Sequence, residues 1–388
     1  MAGSSSKTPR FFKTKSIDSV SAKAKRSLFT SPEPDIEDYG HFFASKKKKV
    51  ADTLLEKYRN KRGLFVTDVS KTEWCQKQME FSLFFDDEEC NNNNSDDKEC
   101  FSFVYEGTGK NNNHYQAMKA GIDRHVELRN EVLKPVRVEV KSREDCMAVK
   151  LVNFINGVNQ LLFEGLTREL PIVSFAFEQG IWMVGRIDEV RMHSTDHKAI
   201  LVETKTRISD TVPSESQKRN GRIQLMCYKY LLDNLVSNPF PLREFYHYFD
   251  LEPQRALCED LKKACCCSGF NAVTLNEVVL CYQTACKMMP RAHDDELVLR
   301  YESQRDKSVV LDEDKFAYNC GWLKGEISKC LQFWLQQREA SFVATKLPEG
   351  SADGTAACLK EAQMELPEGS ADGTAASLKE AQMELPLV

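Results

Sequence analysis

The stretch Ile181–Leu235, IWMVGRIDEVRMHSTDHKAILVETKTRISDTVPSESQKRNGRIQLMCYKYLLDNL, decides the fold of this chain. Its first part, Trp182–Val190, is apolar and rich in residues that favour strands, and Ile200–Val202 continues in the same way. The polar residues His193–Lys198 between them predict a turn. A basic loop and a helix come next, so the stretch predicts a β-hairpin that leads into a helix.

The numbering of this hairpin places two acidic residues opposite each other. With the turn centred between Thr195 and Asp196, Asp188 and Glu203 are equidistant from the centre and face each other, roughly 5 Å apart at Cβ. Lys205 follows Glu203 by two residues and shares its face. The register is an expectation, because a turn centre displaced by half a residue would move Glu203 to the other face.

Directly opposed carboxylates repel each other, and a divalent cation relieves that repulsion. Mg²⁺ prefers one or two carboxylates together with water and substrate phosphate, which this face offers. Lys205 then has two alternative roles, to orient the attacking water or to stabilise the charge that builds on a phosphate. The hairpin therefore predicts a Mg²⁺ or Mn²⁺ site at Asp188 and Glu203.

The helix after the hairpin adds polar residues near the predicted metal site. Gln224 and Tyr228 lie on one helical face, because they are four residues apart. The loop and the start of the helix are locally basic, with Lys205, Arg207, Lys218, Arg219 and Arg222 against Asp210 and Glu215. A basic strip beside a metal site suits a phosphodiester backbone. We therefore expect Arg207, Arg219 and Arg222 to contact a nucleic acid, with Gln224 and Tyr228 positioning the strand.

A family resemblance rests on these residues. Asp188, then Glu203–Lys205, then Gln224 and Tyr228 resemble the D…(D/E)xK…QxxxY signature of the RecB-like branch of the PD-(D/E)XK nucleases. The surrounding motifs are similar to one member, the eukaryotic exonuclease V family. They are, in that family's order, Gly63–Asp68 leading to Trp74–Cys75, Gly121–His125, Thr167–Pro171, Val184–Glu189 and Gln224–Tyr230. An isolated ExK carries almost no information, whereas this ordered set, spread over residues 63–338, is highly specific.

The resemblance implies an α/β fold with a PD-(D/E)XK, restriction-endonuclease-like core, in which helices flank a mixed central sheet and form a helical cap. It also implies that His125 assists the metal or the phosphate. The family often has an acidic residue four positions after this histidine, but here that residue is Arg129. Glu127 and Glu131 are nearby alternatives that do not share that position. Glu169, at the start of a predicted strand, either touches the metal shell or is structural.

Composition bounds the remaining possibilities. At 388 residues the chain has room for one large domain or two, and 41% hydrophobic residues are ample for a core. The net charge of −5 excludes a generally basic nucleic-acid coat, so any DNA binding must use local patches. No apolar run suits a membrane span or a signal peptide. Fourteen cysteines in such a chain favour reduced thiols or a metal site over disulfides.

Composition also divides the chain into three parts. We expect 1–62 to be a disordered basic tail and 63–345 to be the nuclease domain, with a flexible Asn- and Asp-rich insertion at 86–113. The remaining 346–388 is expected to be a disordered tail. Lys46–Lys49 is typical of nuclear import, while the acid-poor start of the chain also permits a mitochondrial or plastid signal or a plain solvated tail.

Other segments predict the scaffold around the hairpin. Periodic apolar residues predict helices at 115–133, 144–163, 260–289 and 322–334, and strands at Phe245–Phe249 and Leu297–Tyr301. Gly165 is a plausible helix stop. Three adjacent cysteines at 265–267 cannot all face one ion, because successive side chains diverge in any regular structure. They are interpreted as a coincidental cluster.

The resemblance further implies a 4Fe–4S cluster held by four cysteines. Cys75 matches the ligand near the first helix, but the C-x-x-C…C group of the family after the last helix is missing. In its place Leu347–Glu365 recurs as Leu366–Glu384, and only Cys358 against Ser377 differs. In the family the cluster joins the N-terminal helix to the C-terminus. In this chain that closure must come from packing alone.

Together the residues and the resemblance predict a metal-dependent exonuclease that degrades single-stranded DNA 5′ to 3′ in repair or genome maintenance. Polarity and strand preference are implied by the resemblance. The alternative is a catalytically impaired DNA-binding or scaffold relative that lacks the cluster. We expect a nuclear monomer with no membrane partner, acting on single-stranded DNA, with a single-strand-binding protein as a candidate partner.

Overall fold

The fold is described from a computed structural model, for residues 14–21, 53–92, 112–175, 180–337 and 340. Its elements are β1 (Thr14–Ser21), α1 (Leu54–Arg59), β2 (Leu64–Phe65), α2 (Val66–Trp74), α3 (Gln76–Asn92), α4 (Asn112–Val132), β3 (Leu133–Val140), α5 (Arg143–Glu164), β4 (Leu166–Phe175), β5 (Trp182–Met192), β6 (Ala199–Arg207), α6 (Glu215–Ser237), α7 (Leu242–Phe249), α8 (Glu259–Cys267), α9 (Leu275–Met288), β7 (Ala292–Ser303), β8 (Val310–Phe316) and α10 (Cys320–Trp334). The central elements follow in the order helix α5, strands β4, β5 and β6, helix α6 and strand β7.

A six-stranded mixed sheet forms the centre of the molecule. Its strands are ordered β2–β5–β6–β7–β8, and β4 pairs with β5. The pairs β4–β5, β5–β6 and β7–β8 are antiparallel, whereas β2–β5 and β6–β7 are parallel. Helices α4, α5 and α6 pack on these strands. The predicted mixed sheet flanked by helices is confirmed.

Strand β5 pairs with three other strands of the sheet. On one edge it pairs with β4 along almost its whole length, from Trp182 to Arg191. On the other edge it pairs with β2 at Met183 and Val184 and with β6 only from Glu189 onward. Because β2 and β6 use the same edge, β6 must diverge from β5 next to Asp188.

The predicted hairpin register is confirmed. Glu189 pairs with Val202 and Met192 pairs with Ala199, which puts the centre of the turn between residues 195 and 196. The same register, extended by one residue, places Asp188 opposite Glu203. These two residues are therefore brought together by the sheet where its two central strands separate.

The long helices begin and end at residues that suit those positions. Ser142 caps α5 by accepting from the Asp145 N–H at 3.1 Å, and Gly165 ends α5 with φ +76°, as the sequence predicts. A capping box of Ser214 and Gln217 starts α6. Among the described helices, only α5 is long and apolar enough to cross a membrane, and 67% of its apolar window is buried inside the protein, as in a core helix.

One predicted strand is wrong. Phe245–Phe249 lies within helix α7. Phe245 and Phe249 are four residues apart and both pack edge-on against the ring of Trp182, at 5.6 and 5.4 Å between ring centres. That spacing belongs to a helix, and a short aromatic run does not reveal its period without the partner it packs on.

Two elements lie within 1–62, the part predicted to be a tail. Strand β1 pairs in parallel with β3, and α1 starts at a capping box formed by Thr53 and Glu56. Leu54 is the buried residue of α1, so the sequence offers little periodicity there. The predicted insertion at 86–113 overlaps the end of α3 and the start of α4. Its centre, 93–111, and the predicted tail 346–388 lie outside the described residues.

Helices α8 and α9, in the segment 260–289 that the sequence predicts to be helical, pack on α5. The Tyr282 ring of α9 lies 4.8 Å from that of Phe154 on α5, and its hydroxyl donates to the Val173 carbonyl at 3.2 Å. In α8, Cys265 is buried while Cys266 and Cys267 are exposed, so the three adjacent cysteines diverge as the sequence predicts.

The last helix closes the domain onto the first ones. Trp334 at the end of α10 is fully buried, and its indole N–H donates to the Thr72 hydroxyl of α2 at 3.1 Å. The Arg59 guanidinium lies 5.4 Å from the Trp334 ring centre. Among the described residues, the closure between the N-terminal helices and the C-terminal helix is thus made by aromatic packing and a buried hydrogen bond.

We predict that Thr72→Val lowers the free energy of unfolding by about 1–2 kcal/mol, because it leaves the buried Trp334 N–H without a partner. Urea denaturation followed by tryptophan fluorescence measures the change. Thr284→Val, on an exposed face of α9, is the matched control and should change stability by less than about 0.5 kcal/mol. Equal stability of both variants would show that the bond contributes nothing to closure.

Candidate active site

Three carboxylates lie in one row across the centre of the sheet. Glu169 of β4, Asp188 of β5 and Glu203 of β6 occupy opposed positions on three adjacent strands. The β4–β5 register, in which Leu170 pairs with Ile187, places Glu169 opposite Asp188. The β5–β6 register places Asp188 opposite Glu203. The repulsion that the sequence predicts between two acids therefore involves three.

Glu169 belongs to this row, although the sequence left its role open. Its φ is +55°, a left-handed conformation that is unfavourable for a residue with a side chain. The Arg186 guanidinium lies 3.2 Å from its carboxylate. Strain of this kind is held by the surrounding structure and is found most often at functional sites. Counting from the β4–β5 turn, as for the second hairpin, would have placed Glu169 opposite Asp188.

Helix α4 carries His125 to the row. Its Nδ1 atom lies 3.4 Å from Glu169 and 3.7 Å from Asp188. Gly121, one turn earlier, allows the helix to approach β6, because a Cβ there would lie 3.1 Å from the Thr206 hydroxyl. The predicted Gly121–His125 motif thus combines a close backbone approach with a side chain that reaches the carboxylates.

Arg168 fixes α4 to the sheet beside the site. Its Nη1 atom donates to the Leu128 carbonyl and to Glu131, both at 2.6 Å, and its Nε donates to the buried Glu189 at 2.8 Å. Glu131, an alternative helper carboxylate in the sequence, is therefore used in anchoring the helix. The other alternative, Glu127, forms an ion pair with Lys307.

Glu203 and Lys205 form an ion pair at the inner end of the row. The Lys205 ammonium donates to Glu203 Oε1 at 2.7 Å and to Gln224 Oε1 at 3.0 Å. Glu203 is buried, and among the described residues its Oε2 atom has no hydrogen-bond partner. A buried carboxylate oxygen without a partner is costly, and a bound cation removes that cost.

Burial and neighbouring charges shift the pKa values of residues in and beside the carboxylate row. Burial, and next the Glu203 charge, raise the pKa of Asp188 to about 8. Burial alone would lower the pKa of His125, but the Asp188 charge and the hydrogen bond to Glu169 outweigh it and raise that pKa to about 9. For Lys205, burial opposes the same carboxylate charges, which win and raise its pKa. Lys205 is therefore cationic at neutral pH.

The residues present fit a divalent cation. The ligand atoms of His125, Glu169 and Asp188 all lie within 4.8 Å of one another. Glu203 adds the buried oxygen that lacks a partner. Carboxylate oxygens with one imidazole suit Mg²⁺ or Mn²⁺. The group whose ligand atoms lie within mutual reach is thus His125, Glu169 and Asp188, and Glu203 lies opposite Asp188 outside that group.

Gln224 and Tyr228 lie on one face of α6, as the sequence predicts, and both are buried. Gln224 binds Lys205. Tyr228 is buried and hydrogen-bonds Gln224, and burial, followed by the Glu203 charge, raises its pKa well above the usual value. Gly185 makes room for its ring, since a Cβ there would lie 2.7 Å from Tyr228 Cε1.

The predicted nucleic-acid contacts differ in how they are engaged. Arg219 donates to Glu73 at 2.6 Å and lies 4.7 Å from the ring centre of Trp322. Arg222 donates to Asp314 at 2.6 Å. Both arginines would have to exchange a carboxylate for a phosphate.

Arg207 is engaged by neutral groups. Its Nη1 donates to Gln217 at 3.0 Å and its Nη2 to the Thr211 hydroxyl at 3.4 Å. Its buried Nε has no hydrogen-bond partner among the described residues. Arg207 is thus the arginine of this group that a phosphate would meet without first displacing one of these carboxylates.

Cys75, which matches a cluster ligand of the family by sequence, is half-buried at the end of α2. In the part of the chain that the structure describes, no cysteine belongs to a group of three or more ligand atoms within 4.8 Å of one another, the spacing of a single-ion site. The side chains of Cys90, Cys100 and Cys358 lie outside that part.

Comparison with known proteins places the site in context. Residues 101–200 and 193–276 match the family described as "Exonuclease V - a 5' deoxyribonuclease". An Exonuclease V of zebrafish (Danio rerio) is 27% identical over 224 residues, which are 57% of this chain and 55% of the relative. The chain thus spans about half the length of this curated relative. The family match contains the whole carboxylate row, His125, Lys205 and Gln224.

Solved structures add little to this comparison. The crystal structure of SSO0001 covers 72% of this chain and 78% of its own, with 10% sequence identity and a TM-score of 0.31. A likeness at that level supports no conclusion about this chain.

We predict that Asp188→Asn stabilises the metal-free protein at pH 8 by about 1–2 kcal/mol, because it removes one charge from the row. The native pKa of Asp188 is about 8 and lies far above the ordinary value of an aspartate, so wild-type stability falls as pH rises between about 4 and 8. The gain should therefore be smaller at pH 6. Thermal unfolding with a chelator measures it.

The control for this prediction is Asp250→Asn. Asp250 is exposed and pairs with Lys61 and Arg143, so its removal should give no gain at either pH. Loss of stability in Asp188→Asn at pH 8 would mean that the row does not repel.

Proposed function

We propose, since the chain belongs to the exonuclease V family, that it is an exodeoxyribonuclease that hydrolyses single-stranded DNA from the 5′ end with the help of a divalent metal ion. The observation that carries this proposal is the row of Glu169, Asp188 and Glu203 beside Lys205, with one buried Glu203 oxygen lacking a partner. The preference for the 5′ end follows the family description, and the preference for single strands follows the sequence resemblance.

In this proposal the carboxylate row holds the ion next to the scissile phosphate. A bound Mg²⁺ or Mn²⁺ supplies a water of lowered pKa and offsets the negative charge of the phosphate. Asp188 and Glu203 are the main ligands, and Glu169 lies on the opposite side of Asp188. Arg186, which binds Glu169, keeps that carboxylate aligned with the row.

Lys205 is proposed to stabilise the charge that develops on the phosphate. Its ammonium is cationic at neutral pH, because the Glu203 and Asp188 charges raise its pKa against the effect of burial, so it has no free lone pair to accept a proton. Of the two roles that the sequence left open, charge stabilisation is the one that this protonation state supports. Gln224 positions the ammonium through its 3.0 Å contact.

His125 is proposed to exchange its proton when the ion binds. Without an ion, the imidazolium lies between Glu169 and Asp188, as the attraction of both carboxylates raises its pKa to about 9. For a divalent cation to be held beside the row, the ring would have to give up this proton. The neutral ring would then either ligate the ion or hydrogen-bond the phosphate.

The DNA strand is proposed to run along the start of α6 and its preceding loop. Arg207 would contact a phosphate directly, and Arg219 and Arg222 would exchange Glu73 and Asp314 for phosphates. Contacts of this kind release counterions, so DNA binding should weaken steeply with salt. Nuclear localisation and a role in genome maintenance remain predictions from the sequence.

A second candidate function is a DNA-binding or scaffold protein without nuclease activity. It is favoured by one feature of the sequence, the absence of the family's C-x-x-C…C group after the last helix. The intact carboxylate row and Lys205 favour the nuclease.

We predict that the full chain degrades single-stranded DNA in the presence of Mg²⁺ or Mn²⁺. Asp188→Asn should lower the rate by about 1,000-fold or more, because it removes a metal ligand, and Lys205→Met by about 100-fold. Oligonucleotides labelled at the 5′ or the 3′ end report both rate and direction on denaturing gels.

Lys315→Met is the matched control, because Lys315 is an exposed lysine paired with Glu296 on the far side of the sheet, and it should leave the rate unchanged. Activity that persists in Asp188→Asn would place the chemistry elsewhere. DNA binding without degradation by the parent chain would favour the second candidate.

We also predict that the affinity for Mn²⁺ rises with pH between about 6 and 8. The ion must displace protons from groups whose pKa values are about 8 for Asp188 and about 9 for His125. Each displaced proton should strengthen apparent binding about 10-fold per pH unit below those values. Calorimetry at three pH values measures the slope.

The matched variants are His125→Asn, which should lower this slope by about one proton, and His247→Asn on the exposed face of α7, which should not. The same slope in both variants would exclude His125 from the exchange.

A further inference from the structure

We propose that His193, Asp196 and His293 form a second metal site, for a transition-metal ion of the Zn²⁺ class, at the end of the sheet away from the carboxylate row. Their ligand atoms lie within 4.8 Å of one another. Two of them come from the β5–β6 turn and the third from the start of β7. The inference does not depend on the proposed nuclease activity.

The geometry of the three side chains suits one ion. Asp196 uses one carboxylate oxygen for His193 Nδ1, at 2.6 Å, and the other lies 3.6 Å from His293 Nε2. The two rings meet edge to face with 5.1 Å between their centres. Ligand atoms of a tetrahedral Zn²⁺ site lie roughly 3.3 Å apart, so small side-chain rotations are enough.

The ligand types separate this site from the carboxylate row. Two imidazoles and one carboxylate are typical of Zn²⁺ and its neighbours, whereas Mg²⁺ prefers oxygen ligands. Three protein ligands leave a position for water, and all three side chains are partly accessible to solvent. We therefore expect the site to bind Zn²⁺ in the presence of excess Mg²⁺.

Neighbouring groups set the conditions for binding. Lys198 Nζ lies 3.8 Å from Asp196 and must turn away, which its exposed side chain permits. The Asp295 N–H donates to His293 Nδ1 at 3.1 Å. An ion on Nε2 requires a proton on Nδ1, so this exposed hydrogen bond is exchanged for water. The cost is small, because both groups stay solvated.

A bound ion would join three strands at one point. His193 follows β5 by one residue, and His293 is the second residue of β7, which pairs with β6 from Ala199. The ion would thus fix the β5–β6 turn to β7. Asp188 lies five residues before His193, or about 16 Å along the strand. The expected effect is stabilisation of the strands that carry the catalytic row, without contact to substrate.

Zn²⁺ titration of the full chain tests this site. The variants are made in a background with Asp188→Asn and His125→Asn, so that the catalytic row does not contribute, and in millimolar Mg²⁺. Because fourteen cysteines can also bind zinc, the readout is the difference between variants. His193→Asn and His293→Asn remove one ligand each.

The matched control is His197→Asn. His197 lies in the same exposed turn with φ +56°, a conformation that asparagine tolerates, and its ring is not part of the cluster. We expect one Zn²⁺ fewer per chain, or at least about 10-fold weaker binding, in both ligand variants, together with loss of the Zn²⁺-dependent rise in melting temperature. His197→Asn should behave as the background chain.

Equal Zn²⁺ binding and equal thermal stabilisation in all variants would overturn the proposal. So would displacement of the ion by Mg²⁺. Melting temperatures without Zn²⁺ show that each variant is folded, because the three ligands are on the surface and carry little of the core.

Discussion

The structure depends on one limit of backbone hydrogen bonding, that each edge of a strand can pair with one neighbour at a time. One edge of β5 is filled by β4. On the other edge, β2 pairs at Met183 and Val184 and β6 pairs from Glu189 onward, so residues 185–188 lie between these two partners. Where β6 leaves, the Thr204 N–H donates to the Asp188 carboxylate at 2.9 Å. Where the two strands diverge, hydrogen bonds to side chains thus replace backbone pairing, and the three carboxylates lie close together there.

The cationic side chains around the three carboxylates would allow a divalent ion to exchange with bound protons. Each outer carboxylate has a cation at its side: Arg186 for Glu169 and Lys205 for Glu203. Asp188, in the middle, shares His125 with Glu169 and also interacts with the Lys205 charge, but burial and the neighbouring acids outweigh both and raise its pKa to about 8. Below that pKa the centre of the row holds protons, and the proposed divalent cation would have to replace them. Such a site costs stability and is retained where it serves chemistry.

The sequence predicted the hairpin, its register and the pairing of Asp188 with Glu203, because both strands and the turn between them are local. It left Glu169 undecided, although a hairpin count for β4 and β5 would have placed it opposite Asp188, because its left-handed conformation inside a strand follows from no periodic pattern. It also could not show that Arg219 and Arg222 are paired, because Glu73 and Asp314 come from elements far away in the chain. The aromatic residues of α7 were assigned to a strand for the same reason: their period becomes visible only with Trp182, against which they pack.

Helix α10 joins the C-terminal end of the described domain to its first helices by packing. Its contacts indicate which part of the proposed function depends on this closure. Trp334 binds Thr72 of α2, the helix that ends next to Cys75, so aromatic packing joins the two regions that a cluster joins in the family. The carboxylate row lies on β4, β5 and β6, whereas α10 packs on helices α1, α2 and α6. On α6, Arg219 stacks on Trp322 of α10. Loosening α10 should therefore disturb the proposed phosphate contacts before it disturbs the metal ligands. We infer that the binding of DNA depends on this closure more than hydrolysis does.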